Sequence, residues 1–430
     1  MTASLTLEML LDGRWEKAAI LEFPDATGDV GRCYFEYEFA YLEARLGSHR
    51  FDTAASLRLP LTFGPTLSPK WPSFLDDVRP MANARRWWLN RLGLADAPSS
   101  DLRLLSQGTV APVGNLRIAE SVPPRSNSPP RRFPADAVVE REHDFIEWAA
   151  EHGAQVGGAT GAGGDSPKLL LRKDPDGRVW IDVWQDEPGD SASHLLVKFA
   201  RTRHERDQLI LRSEYVFYRA LAELGIDTIS TEGMELREGQ AGPSLWLPRF
   251  DVRRRDGQEV RLGVESMYSL LSAGPGSRLR HQDVLAELRK VVPASSWPAL
   301  LLEYVRRDVL NLVFGNSDNH GRNTSLLKSE DAVCLSPVYD FAPMKMDLDG
   351  IARSTTWGPL ERGGDINWQG VISTFGEHEA TVRDGLRELG EKLTDLPVLL
   401  MKLGLPKETL EFPGLGLQRT DKRLKEWGLL

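Results

Sequence analysis

Asn316, Asp318, Asn319, His320, Arg322 and Asn323 crowd eight positions of GNSDNHGRNTSLL, residues 315–327, directly after a run with the apolar spacing of a buried helix. Asp318 and Asn323 are five residues apart, and Asp340 follows 17 residues later in LSPVYDFAPM. A carboxylate, an amide oxygen and a second carboxylate in this order match what phosphoryl transfer from a nucleotide needs. One group orients or deprotonates the acceptor hydroxyl, and the oxygens hold magnesium. The remaining need is a cation on the phosphates. Lys198, set among apolar neighbours in HLLVKFA, suits it, with Glu214 to hold it. Each residue alone has an ordinary reading. Asp318 and Asn323 suit Asx-turns, a strand lysine usually snorkels at an edge, and a helix glutamate is usually solvated, as Glu214 would be beside Arg212. Their joint order favours chemistry. His320 has no second His or Cys ligand at a useful spacing, which disfavours zinc.

These residues need elements to carry them. LLEYVRRDVLNLVFG places Leu301, Leu302, Val305, Val309, Leu312 and Val313 on one stripe, a helix that delivers the polar loop. KLLLRK, VWIDVW and HLLVKFA read as strands, with the turn DPDG after the first. ERDQLILRSEYVFYRALAELG reads as a helix carrying Glu214, with Gly225 at its C-terminal end. Ahead of them GGATGAGGDSPK, residues 157–168, holds five glycines, whose backbone N–H groups can approach an anion closely. In the first hundred residues Leu5, Leu7, Met9 and Leu11 alternate before Asp12-Gly13, and Phe35, Tyr37, Phe39 and Tyr41 alternate again, so strands are expected. FLDDVRPMANARRWWLNRLG and DAVVEREHDFIEWAAEHG look helical, and Trp87 and Trp88 suit packing more than base stacking. SVPPRSNSPPRRFP resists regular structure. The organisation expected is a β-rich part over 1–120, a linker over 121–136, a nucleotide-binding part over 137–255 and a helical lobe over 256–430. An α+β fold with a β-rich lobe, an α-rich lobe and a cleft between them follows.

Composition narrows the rest. A net charge of −9 argues against broad non-specific nucleic-acid binding by the whole chain. The arginines near 125–132 and 253–255 read as solvated surface, with a local role beside DNA as the alternative. Cys33 and Cys334 stand far apart with no CxxC pattern, which suits a reducing compartment. No apolar run approaches the length of a membrane span and MTASLTLEMLLDGRW lacks the features of a signal peptide, so a cytoplasmic protein with no membrane partner is expected.

D-x-x-x-x-N after a helix and an aspartate further on follow the protein-kinase order, although neither H-R-D nor D-F-G is present in its usual form. FGNSDNHGRNTSLL together with LSPVYDFAPM resembles the signature of the HipA-family serine/threonine kinases, toxins of bacterial toxin–antitoxin pairs. LRLPLTF, FLDDVRP, LLVKFA, SEYVFYRALAELG and LPRFDVRR are similar to that family too, so the likeness covers most of the chain. The resemblance implies a bilobal protein-kinase-like fold and use of ATP and Mg2+. It makes Asp318 the catalytic aspartate, Asn323 and Asp340 the magnesium ligands, and Lys198 an ATP phosphate contact. His320 is implied as a supporting active-site residue. The loop residues Thr160, Gly161, Gly163 and Gly164, with Lys168, would face the phosphates, and backbone near Arg249 and Phe250 the adenine. The family's loop often carries an autophosphorylated serine. Here Gly161 stands seven residues before Lys168, leaving Thr160 and then Ser166 as candidates. The resemblance further implies a small helix-turn-helix antitoxin that carries the toxin to operator DNA, and a translation component such as an aminoacyl-tRNA synthetase as protein substrate. A catalytically silent co-repressor module and a small-molecule phosphotransferase are the alternatives.

Overall fold

The protein is described from a computed structural model covering residues 2–25, 31–110, 113–124, 131–151, 166–182, 192–255 and 257–430. It starts with a hairpin of β1 (Ala3–Leu11) and β2 (Arg14–Phe23), whose turn residues Asp12 and Gly13 take φ of 50° and 75°. Two successive positive φ values make the turn whose twist matches paired strands, and Asp-Gly adopts it readily. β3 (Cys33–Tyr37), β4 (Thr66–Ser68) and β5 (Leu116–Ile118) complete an antiparallel sheet in the order β4-β3-β2-β1-β5. Leu5, Leu7, Met9 and Leu11 face its core with Phe35 and Tyr37. The second aromatic alternation is not one strand. α1 (Phe39–Arg45) begins after Tyr37, burying Tyr41 and leaving Phe39 exposed. Four aromatics at period two do not distinguish a strand from a strand that runs into a helical turn.

FLDDVRPMANARRWWLNRLG also divides, at Pro80. A 3-10 turn over Ser73–Asp77 precedes it and α2 (Ala82–Leu92) follows, since proline cannot continue a helical ladder. Trp88 and Leu89 pack with Leu104 of α3 (Asp101–Gly108). The linker ends in an edge strand, β6 (Phe133–Pro134), a position that tolerates proline's missing N–H. The helix expected next is two, α4 (Ala135–Val139) and α5 (His143–Glu151), separated at Arg141, whose φ is 52°.

β7 (Lys168–Lys173), β8 (Arg178–Ile181), β9 (Ser193–Phe199), β10 (Glu235–Gly239) and β11 (Gly242–Pro248) join β6 in an antiparallel sheet of order β10-β11-β9-β7-β8-β6. Between β9 and β10 runs α6 (Glu205–Glu223), after which Gly225 reverses the chain at φ 73°. A hairpin of β12 (Val252–Arg255) and β13 (Gln258–Arg261) spans the division expected at 255, so strand structure continues past it.

The remaining chain is mostly helical. β14 (Gly263–Ser266), α7 (Met267–Leu270), β15 (Leu279–Arg280) and α8 (His281–Val291) lead to α9 (Trp297–Phe314), the central helix of the larger core. Val305, Leu310, Val313 and Phe314 are fully buried. The helix stops at Gly315, φ 71°, where any side chain would collide with Leu415. β16 (Ser325–Lys328) and β17 (Val333–Leu335) then pair beside β14. α10 (Trp368–Ser373), α11 (Glu379–Lys392), α12 (Leu396–Lys402), α13 (Lys407–Leu410) and α14 (Thr420–Glu426) complete the lobe.

The first sheet is fastened to this lobe by buried charge. Lys328 Nζ donates to the carbonyl oxygens of Ala54 and Ala55 and to Glu265 Oε2, each at 3.1 Å. Glu265 also accepts from Ser56 Oγ at 2.6 Å and from the Leu57 N–H at 2.9 Å. Both members of this pair are buried, so either one alone would be an uncompensated charge. The architecture is α+β and bilobal, β-rich towards the N-terminus and helical towards the C-terminus.

Candidate active site

Lys168 and Lys198 are direct cross-strand partners on β7 and β9, and both are buried. Like charges opposite each other repel, so the pair needs an anion between them. Asp340 supplies it. Its Oδ1 lies 2.5 Å from Lys198 Nζ and its Oδ2 3.7 Å from Lys168 Nζ. Lys198 also donates to Glu214 Oε1 and Oε2 on α6 at 2.6 and 2.8 Å. Glu214 accepts in addition from Tyr218 Oη at 2.7 Å, one helical turn on, and Tyr218 Oη in turn accepts the Phe341 N–H at 3.3 Å. α6 thus holds both the lysine and the residue after Asp340.

Burial acts to raise the Asp340 pKa, but Lys168 and Lys198 outweigh it and hold the carboxyl well below the usual range. For Lys198 burial acts downward, while Asp340 and Glu214 raise it above an ordinary lysine. Lys168 differs: burial prevails and brings it down to about 8, against the pull of Asp340. Asp340 itself sits at φ 51°, a left-handed conformation that aspartate tolerates better than most side chains.

Asp318 comes off α9 through Gly315 and faces the same cleft as both lysines, Glu214, His320 and Asp340. Burial raises its pKa, His320 opposes this, and the charge of Asp340 adds to it. His320 Nε2 stands 3.7 Å from Asp318 Oδ1, and its ring stacks on Tyr268. Asn323 lies beneath the loop. Its Nδ2 donates to the Asp318 carbonyl oxygen at 2.7 Å, and its Oδ1 is buried with no hydrogen-bond partner among the described residues. Asn323 lines a neighbouring space together with Asp318, whereas the cleft that holds Asp340 is not lined by it. An amide oxygen and a carboxylate are each donor types that magnesium takes. No group of three His, Cys, Asp or Glu able to hold a metal occurs among the described residues.

The contacts by which several side chains organise this loop escaped the sequence reading. Asn319 Nδ2 donates to the Thr355 carbonyl oxygen at 2.7 Å and its Oδ1 accepts the Ser354 N–H at 2.9 Å. Arg353 reaches Asp308 of α9 at 3.0 Å and Glu361 at 2.8 Å, and Trp357 Nε1 donates to Asp308 at 2.8 Å. Arg322 approaches Asp77 of FLDDVRP at 3.8 Å, so the first part of the chain also braces the loop. Asn319 and Arg322 belong to the opening cluster. Asp308 and Arg353 carried no local signal, because their pairing joins residues 45 apart.

Above the lysines lies an apolar pocket bounded by Leu170, Leu196, Ile229, Leu247, Phe250 and Tyr339. The Arg249 N–H donates to the His194 carbonyl oxygen at 3.0 Å, and its guanidinium is locked to Asp182 and Asp251 at 2.8 and 2.6 Å. Arg249 therefore builds the wall and has no free backbone N–H. Phe250 lies against Tyr339, ring centroids 5.3 Å apart. Ser166 lines the larger cleft. Thr160, Gly161, Gly163 and Gly164 lie outside the described residues.

The lobes and their lysine–carboxylate cleft define a protein of kinase-like α+β architecture. Residues 160–395 match the HipA-like C-terminal domain family, more than half of the 430 residues, and the chain belongs to that family. Y4mE of Sinorhizobium fredii, named as a proposed kinase, is 26% identical over 348 residues, 76% of this chain and 75% of its own. The toxin YjjJ of Escherichia coli is 25% identical over 289 residues, 64% of this chain and 60% of its own. The fold is also that of HipA from Shewanella oneidensis, solved with HipB and operator DNA, at a TM-score of 0.67 and 17% identity, covering 98% of this chain and 97% of that one. No helix among the described residues is long and apolar enough to cross a membrane.

Proposed function

We propose that the protein is an ATP- and Mg2+-dependent serine/threonine protein kinase acting as a HipA-type toxin in the cytoplasm. The observation that carries this reading is Lys198, bound at once to Glu214 and Asp340 in the cleft that Asp318 faces. In protein kinases the corresponding lysine–glutamate pair and metal-binding aspartate must both be in place for transfer.

In this reading Asp318 takes the proton of an acceptor serine or threonine hydroxyl as that oxygen attacks the γ-phosphorus. The new P–O bond forms as the bond to the bridging oxygen breaks, and ADP leaves. A partly raised pKa brings Asp318 closer to the range where a carboxylate accepts a proton near neutrality. Lys168 and Lys198 would take phosphate oxygens, with the loop around Thr160, Gly161, Gly163 and Gly164 covering them. His320 would position Asp318. Asp340 and Asn323 would hold magnesium, which when bound neutralises charge on the phosphates. Just past β11 the Arg249 N–H still points to β9, so the trans peptide before it turns the Pro248 carbonyl the other way. That carbonyl and the Phe250 N–H are our candidates for the purine edge.

A small helix-turn-helix antitoxin, with operator DNA reached mainly through it, is supported by the HipA–HipB–DNA complex of Shewanella oneidensis. An aminoacyl-tRNA synthetase as substrate rests on the family resemblance. The test incubates the purified protein with γ-labelled ATP, magnesium and cell extract. A labelled protein band supports a protein kinase, label confined to small molecules a small-molecule phosphotransferase, and no transfer a silent co-repressor.

A further inference from the structure

The apolar pocket bounded by Phe250, beside the groups offered above for the purine edge, has one wall of unexpected origin. Val113 lines it, although it precedes β7 by more than fifty residues and belongs to the segment that closes the first sheet at β5. Its side chain is buried in the core of the second sheet, with Trp246, Val197 and Leu170. The chain is held in that place by its neighbour. The Gly114 N–H donates to Asp251 Oδ2 at 2.7 Å, and Asp251 is clamped by Arg249, Nε to Oδ1 at 3.0 Å and Nη2 to Oδ2 at 2.6 Å. Gly114 takes φ 87°, and a Cβ there would come within 3.2 Å of the Val264 backbone nitrogen on β14. Asn115, fully buried next in sequence, donates to the Asp52 carbonyl oxygen at 3.3 Å. Residues 113–115 are therefore gripped by the first sheet, by the segment joining the lobes and by β14. Such a fixture is far more than a passing loop needs.

We infer that Val113 is a specificity-determining residue of the nucleotide site, placed by the Gly114–Asp251 hydrogen bond, so that the N-terminal sheet domain completes the base pocket. This rests on the nucleotide reading of the cleft. Its chemistry is apolar contact with the flat face or edge of a purine ring, and it makes no contact with phosphates. Enlarging Val113 should exclude the base, and shortening it should weaken the hold on the base, in both cases without touching the triphosphate end.

The test uses the full-length protein and its Val113→Phe and Val113→Ala variants. Each is titrated with a fluorescent ribose-labelled ATP and, by displacement, with magnesium tripolyphosphate, which has no base. Val113→Ala should weaken the labelled ATP roughly fivefold, from the loss of two apolar carbons of contact. Val113→Phe should weaken it by roughly tenfold or more, because a filled pocket resists overpacking. Tripolyphosphate should bind all three proteins alike, and in turnover KM for ATP should rise far more than kcat falls. Unchanged ATP affinity in both variants would overturn the inference, as would a parallel loss for tripolyphosphate, which marks general damage to the fold. If the wild-type protein binds tripolyphosphate but no nucleotide, the purine reading of the pocket falls and this inference falls with it.

Discussion

Replacing Lys198 by methionine keeps the length of the side chain and removes its charge. Glu214 and Asp340 then lose the ammonium they share, and Glu214, 2% exposed, is left with the Tyr218 hydroxyl as donor. Breaking a buried ion pair by deleting one partner costs about 3–5 kcal/mol, since the remaining charge stays desolvated. Asp340 retains Lys168 at 3.7 Å, so most of the loss should come from Glu214. A second change, Glu214→Gln, removes the stranded charge while leaving an acceptor for the Tyr218 hydroxyl. The double variant should therefore be more stable than Lys198→Met alone, by about 1–3 kcal/mol within the coupling expected of contacting residues. Urea unfolding followed by tryptophan fluorescence reads this directly, because Trp180 and Trp246 are buried in the sheet that carries Lys198. If Lys198→Met leaves the midpoint where it was, or the added Glu214→Gln lowers it further, the ion pair is not the fastening described here.

Asp318→Asn should lower label transfer by about 10²–10⁴-fold, the range attributed to a general base, while nucleotide still binds; full activity in that variant would remove Asp318 from the role. Asn323→Ala and Asp340→Ala should each weaken nucleotide binding in calorimetry when magnesium is present, and Asn323→Ala much less when it is absent. Equal effects with and without the metal would refute the ligand assignment. Burial acts to raise the pKa of Glu259, but its hydrogen bond to His194 and the charge of Arg261 bring it down to about 2. A depressed carboxyl contributes stability that is present above its unfolded value of about 4.3 and is lost as pH falls towards the folded one. Melting temperature should accordingly fall less between pH 6 and pH 4 in Glu259→Gln than in the wild type, and identical slopes would show that the pairing does not matter.

Asp318, His320 and Asp340, which line the cleft, were legible because they sit in two short segments whose order suggested phosphoryl transfer. Lys198 and Glu214 were legible as positions on a strand and a helix, and the structure adds that Asp340 closes the same ion pair. Lys168 was read as the end of a glycine loop, yet it is the cross-strand partner of Lys198, a relation that depends on strand register. The breaks at Pro80 and Arg141 show opposite limits. The proline was an available signal, whereas a positive φ at an arginine has no local cause in composition. The partners of Asp308, Arg353, Asn319 and Asp77 stayed invisible for one reason. Each acts on a residue distant in sequence, and only the packed chain reveals what a buried charge is paired with.

The Lys328–Glu265 fastening bears on how the gene can be dissected. Deleting the first 120 residues would remove the carbonyls of Ala54 and Ala55 and the donors of Ser56 and Leu57, opening a buried lysine and glutamate to solvent on a face made for contact. A shortened allele that proves harmless to its host would then report poor folding or proteolysis just as readily as a lost activity. Point changes on the intact chain are the sound genetic instrument for this protein.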